Sequence, residues 1–144
     1  MISFQTSQDI AAPASRIWDV LSRVPDWPAW TPSVSRVEPL DGPGLRPGAR
    51  FVIHQPGLRP AVWCVDSMNP GESFAWSMHA AGIAMSALHR IVATAEAAST
   101  VTLSLHASGP LAPVIWWLIG RTAKRYVVQE AQSLKRRCEQ TAGR

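Results

Sequence analysis

Among the residues whose chemistry could matter, Glu130 stands out by its position. At 100° per residue, Ala112, Ile115, Ile119, Ala123, Tyr126, Glu130 and Leu134 fall on one stripe of a helix, with Arg121, Lys124, Arg125, Gln132, Lys135 and Arg136 opposite. A lone carboxylate on an apolar stripe is costly, so Glu130 must be paired, hydrogen-bonded or protonated. It is either a polar anchor or general acid in a cavity, or a structural carboxylate tied to an Arg, a Trp N–H or a backbone amide. The structural role is the expectation.

His89 is the second candidate, because an imidazole in an apolar cavity can carry a proton. It alternates with Met85, Ala87 and Ile91, but the opposite phase would turn Leu88, Arg90 and Val92 inward and leave His89 in solvent. Both phases remain open. His54 and His79 fall near strand ends and His106 alternates outward, so no HxH or HExxH spacing arises and no metal is expected. Cys64 and Cys138 lack CxxC or Cys/His spacing and read as small buried hydrophobes. No GxSxG, Walker loop or GxGxxG is present, so no cofactor is expected.

Seven tryptophans are several times the usual share for 144 residues. Five of them, Trp27, Trp30, Trp63, Trp76 and Trp116, fall on segments that a core or a cavity mouth would use. They either line a small-molecule site, whose walls are mostly apolar, or simply pack the core. The candidate lining set is Trp30, Phe51, Trp63, Trp76, His89, Leu103, Ile119, Tyr126 and Glu130.

These residues need elements to position them. Ile2 to Ile10 alternates loosely through Ile2, Phe4 and Thr6 and reads as a first strand. Ile17, Trp18, Leu21 and Val24 recur at helical spacing after Pro13, which reads as a first-turn proline, and Pro25 ends that helix. Asp26 to Pro32 holds two tryptophans among prolines and suits a compact turn or one-turn helix. Turn signals then divide residues 33–108 into six β-prone runs, 33–40, 49–55, 61–68, 73–79, 84–95 and 100–108. Asn69-Pro70-Gly71-Glu72 has the chemistry of a type II turn.

Alternation assigns faces to the runs. Phe74, Trp76 and Met78 oppose Ala75, Ser77 and His79, while Val101, Leu103 and Leu105 oppose Thr102, Ser104 and His106. The apolar sheet face requires a cover, and the helix expected over about 111–139 supplies it. The result is an α+β domain with helices on one sheet face.

Composition sets the outer limits. A chain 47% hydrophobic and 17% charged can build a core, and residues 1–144 are expected to form one domain. The longest apolar run, Val114 to Ile119, is far short of the roughly 20 residues that cross a bilayer, so no stable membrane insertion is expected. MISFQTSQDI has neither basic nor apolar leader regions, and the cytoplasm is the expected compartment. Residues 1–110 carry seven Arg against eight acidic residues, whereas 111–144 carry seven basic against two acidic. That basic helix face could meet anionic lipid or nucleic acid, but without interleaved aromatic platforms it reads as a solvated face, and no nucleic acid is expected. Trp117 and Val128 on the same side keep a membrane contact or a dimer open, so the chain is either a monomer or a homodimer.

Several stretches together resemble a known family. They are Ala12-Pro13-Ala14-Ser15-Arg16-Ile17-Trp18-Asp19-Val20-Leu21, Asp26-Trp27-Pro28-Ala29-Trp30, Gln55-Pro56-Gly57, Pro70-Gly71-Glu72-Ser73-Phe74-Ala75-Trp76 and Gly109-Pro110-Leu111-Ala112-Pro113. In order and spacing they resemble the polyketide cyclase/dehydrase branch of the START-like (SRPBCC) superfamily over nearly the whole chain. The resemblance implies a helix-grip fold, a seven-stranded antiparallel sheet wrapped around a long C-terminal helix with two short helices after the first strand. It also implies a hydrophobic cavity, but no single chemistry, since such proteins include lipid carriers, receptors and aromatase/cyclases. The leading expectation is binding of a hydrophobic or aromatic small molecule, with a cyclase/dehydratase as the alternative and an interaction module using the basic helix as the third. Cavity polar groups tied only to backbone would favour a binder, whereas an acid and base converging there would favour an enzyme.

Overall fold

The computed structural model describes residues 2–142. Strand β1 (Ile2–Ile10) leads into helix α1 (Ala14–Ser22) and a 3₁₀ turn (Val24–Ala29). Strands β2 (Arg36–Pro39), β3 (Arg50–His54), β4 (Ala61–Asn69), β5 (Ser73–Ala80), β6 (Ile83–Ala95) and β7 (Ala98–Ser108) follow, and helix α2 (Ala112–Ala142) closes the chain. The seven strands form one antiparallel sheet in the order β1-β7-β6-β5-β4-β3-β2. This is the helix-grip arrangement, α+β with a long helix against one sheet face.

Local chemistry accounts for the connections. Gly71 has φ +83° and Glu72 N–H donates to the Asn69 carbonyl at 2.9 Å, the geometry of the type II turn expected there. Gln55-Pro56-Gly57 repeats it, with Gly57 at φ +77° and Leu58 N–H bonded to the Gln55 carbonyl. Pro13 stands one position earlier than expected. It is the N-cap of α1 at ψ 150°, because its extended backbone turns the chain out of β1 before the first helical residue. Likewise α1 stops at Ser22, and Pro25 sits in the first turn of the 3₁₀ segment, where no N–H is needed. Val24 is buried from that segment rather than from α1.

Register fixes the faces. Phe74 pairs with His89, Trp76 with Ala87 and Met78 with Met85, and His89 pairs in turn with Leu103. Opposed residues share a face, so His89 points inward with Phe74, Trp76 and Leu103. Ile91 is buried and Arg90 exposed, which settles the phase of β6. Ser104, expected on the wetter face, is buried there, because Gln5 of the neighbouring β1 covers it and accepts its hydroxyl at 3.3 Å. Cys64 also departs from expectation, since it lies half-buried on the outer face of β4, while Cys138 is buried under α1 and α2 packing.

The apolar stripe of α2 faces the sheet as counted, with Ala112, Ala123, Tyr126 and Leu134 buried, Ile115 and Ile119 half-buried, and Arg121 and Lys124 exposed. The packed interior divides into two clusters. The larger joins Ile17, Leu21, Trp27, Phe74, Val101 and Leu134 beneath α1 and the second half of α2. The smaller joins Ile83, Ala107 and Ala112 near the start of α2. Between them the sheet and α2 do not fill the space.

Candidate functional site: a sheet–helix cavity

That space is a cavity of about 590 Å³, within the range of small-molecule sites. Trp63 and Ile53 come to it from the β3–β4 hairpin, Trp76 and Met78 from β5, Met85, Ala87 and His89 from β6, and Leu103 and Leu105 from β7. Helix α2 contributes Ile115, Ile119, Ala123, Tyr126, Val127 and Glu130. Gly57, Arg59, Ala80 and Ala81 line it and are also exposed, so the mouth opens between the β3–β4 loop, the β5–β6 turn and the first half of α2.

The deep wall is aromatic and rigid. Trp76 lies 5.3 Å from Trp27, 5.3 Å from Phe74 and 5.6 Å from Trp63, ring centroid to centroid. Trp27 is fixed in turn by its indole N–H, which donates to the Leu21 carbonyl at 3.0 Å. The His89 imidazole stacks on Phe74 at 4.2 Å with an interplanar angle of 8°, and Trp76 meets it edge-on. Rings packed at these angles have little freedom to rotate.

Two polar side chains meet on this wall. His89 Nε2 lies 3.3 Å from Glu130 Oε2, joining β6 to α2, with side-chain exposures of 5% and 13%. Glu130 is therefore paired, as its place on the stripe requires, but with an imidazole rather than with an Arg, Trp N–H or backbone amide. His89 Nδ1 is buried without a hydrogen-bond partner among the described residues. The contact sets an imidazole and a carboxylate, the two side-chain types most used for proton transfer, side by side at the cavity wall. Tyr126, by contrast, spends its hydroxyl on the Pro56 carbonyl at the rim.

Of the nine residues expected to line the site, Trp63, Trp76, His89, Leu103, Ile119, Tyr126 and Glu130 do so. Trp30 and Phe51 do not. Phe51 faces inward but is wholly buried behind Trp76, 6.3 Å away, where strand alternation gives the face but not what covers it. Trp30 packs edge-on against Trp27 at 5.9 Å, outside the cavity, and Trp27 takes the inner place. Arg59 at the rim was missed, since loop residues carry no periodic signal, and Gln55 was missed because it ends the run read over 49–55, where alternation no longer assigns a face. Among the described residues, no group of His, Cys, Asp and Glu is arranged to hold a metal ion. No described helix is long and apolar enough to cross a membrane.

The sheet, the long helix and the hollow between them form a helix-grip fold, and residues 1–139 match the family model described as polyketide cyclase/dehydrase and lipid transport. The chain belongs to that family. Among solved structures it is similar to the Zhui aromatase/cyclase from a Streptomyces species, with 17% identity, TM-score 0.80, and 98% of this chain and 95% of that one covered. It is also similar to a START superfamily protein from Mycobacterium smegmatis (19% identity, TM-score 0.71, 96% and 98% covered). Norcoclaurine synthase from Thalictrum flavum, in complex with dopamine and hydroxybenzaldehyde, shares the fold at 15% identity and TM-score 0.68, with 94% and 84% covered. No curated protein sequence matches it.

Proposed function

We propose that this protein binds an aromatic or otherwise hydrophobic small molecule between the sheet and α2. The observation that carries this reading is the cavity of about 590 Å³ walled by Trp27, Trp63 and Trp76, with one polar pair at its deep wall. Aromatic walls favour planar ligands through stacking, and the pair orients a ligand that offers a hydroxyl or carbonyl. Two proteins of the same fold, one named for aromatase/cyclase activity and one holding dopamine and hydroxybenzaldehyde, support the ligand class.

Nile red titration tests the reading. Binding should raise probe emission and quench tryptophan emission, and Ile119→Trp, which fills the space below the mouth, should abolish both. Unchanged probe binding by Ile119→Trp would place the probe elsewhere and defeat the reading. Native mass spectrometry of protein from its own host would then weigh the retained molecule.

The His89–Glu130 contact favours a second reading, a cyclase/dehydratase acting on a polyketide-like substrate, because an acid and a base converge there without being tied to backbone. In a dehydration, one group takes the proton beside a carbonyl while the other protonates the departing hydroxyl, which leaves as water. Glu130→Gln distinguishes the readings. A binder keeps its affinity, whereas an enzyme loses turnover by about 10²–10⁴-fold.

A further inference from the structure

The face of α2 turned away from the cavity is as unusual as the face that lines it. Trp117 is 83% exposed, Leu118 67% and Val114 58%, and Leu111 just before the helix is also exposed. Large apolar side chains are normally exposed singly, whereas these four fall within eight residues. Arg121, Lys124 and Arg125 follow on the next turn. At 100° per residue, Val114, Trp117, Leu118, Arg121 and Arg125 lie within a sector of about 100°, and their Cα atoms span about 16 Å along the axis.

The cations there are not neutralised by the protein. Among the described residues no carboxylate pairs with Arg121, Lys124 or Arg125. Lys124 Nζ lies over the Phe4 ring at 5.7 Å and the Arg125 guanidinium over Tyr126 at 5.5 Å, contacts that leave their charge unbalanced. The acidic side chains of α2 are engaged elsewhere, Glu130 with His89 and Glu139 with Lys135 and the Ala11 N–H. An apolar tip beside a collar of free cations calls for a partner that is apolar inside and anionic at its surface.

We infer that the exposed face at the start of α2, Val114, Trp117 and Leu118 with Arg121, Lys124 and Arg125, docks the protein peripherally on an anionic lipid bilayer. The apolar side chains enter the headgroup boundary, where an indole is favoured, and the cations meet lipid phosphates and carboxylates. A nucleic acid would match the charge but not the apolar tip. A second copy of this chain would match the tip but would oppose cation to cation. The inference does not depend on the cavity's ligand.

Flotation with phosphatidylcholine vesicles, with and without phosphatidylserine, tests it. The protein should float with the anionic vesicles only, and added salt should release it. Trp117→Ser/Leu118→Ser and Arg121→Glu/Arg125→Glu should each lower partitioning by about tenfold or more. Their thermal melts should match the parent, since all four side chains are exposed. Three results would overturn the inference. They are no flotation with anionic vesicles, flotation of either double variant equal to the parent's, or, in place of vesicle binding, a dimer that Trp117→Ser dissociates or salt-sensitive retention of an oligonucleotide.

Discussion

The Tyr126 hydroxyl donates to the Pro56 carbonyl, fastening the middle of α2 to the turn that carries Gly57, Leu58 and Arg59 at the cavity rim. Two elements 70 positions apart in sequence are held together there by one side chain.

Tyr126→Phe keeps the ring and removes that bond. It should cost about 0.5–1.5 kcal/mol in urea unfolding. Stopped-flow measurement should show a bound apolar probe leaving faster, because the rim loop is no longer fastened to the helix. Equal release rates for variant and parent would show that the bond does not restrain the mouth.

Leu103 and Ser104 point to opposite sheet faces, and both are buried. Leu103→Ala should cost about 2–3 kcal/mol, the low end for a core leucine, because one side of it already faces the cavity. Ser104→Ala should cost about 0.5–1 kcal/mol through loss of its bond to Gln5, rather than the negligible change that strand alternation alone predicts. Coincident unfolding midpoints for the two would contradict this assignment of faces.

His89 and Glu130 should be energetically coupled. In a cycle built from Glu130→Gln, His89→Gln and the double variant, the interaction term should lie at about 0.5–3 kcal/mol, as for directly touching partners. Strict additivity would mean that the 3.3 Å contact contributes nothing to stability.

Cys138 and Cys64 should differ in reactivity. Burial pushes the Cys138 thiol up from 9.0 to about 11, with Glu139 adding to the rise while Arg16 and Arg137 oppose it. The reactive thiolate is therefore suppressed, and a disulfide reagent at mildly alkaline pH should label the half-buried Cys64 first, reaching Cys138 only as the protein unfolds. The folded thiol holds its proton more tightly than the unfolded one. Its contribution to stability is thus full below pH 9 and is lost as pH rises towards 11. A Cys138→Ala variant with the same alkaline loss of stability would assign that loss to other groups.

The fold was legible where local chemistry repeats. The alternation through Phe74, Trp76 and Met78, and again through Val101, Leu103 and Leu105, placed two strands and their inner faces. Turns built on Pro-Gly pairs delimited the strands, and the 3.6-residue stripe from Ala112 to Leu134 placed the cover. The site was legible only in part. Burial of a carboxylate at position 130 implied a partner, but which side chain crosses from sheet to helix depends on register between β6 and β7, and β6 carries apolar residues on both faces. Phe51 and Trp30 show the complementary limit, because an inward aromatic becomes wall or filler according to what packs in front of it.

The sheet order leaves β1 and β2 as its two edges, and their composition bears on behaviour at high concentration. Strand β2 is four residues long, carries the Arg36–Glu38 ion pair and ends in Pro39, which lacks a backbone N–H. Strand β1 is longer, but its exposed positions are Ser3, Gln5, Ser7 and Asp9. Short, charged or proline-terminated edges discourage edge-to-edge strand addition. Strand β2 is therefore guarded against strand addition, whereas β1 is the longer edge and Asp9 is its one charge, so any pairing between sheets would start there.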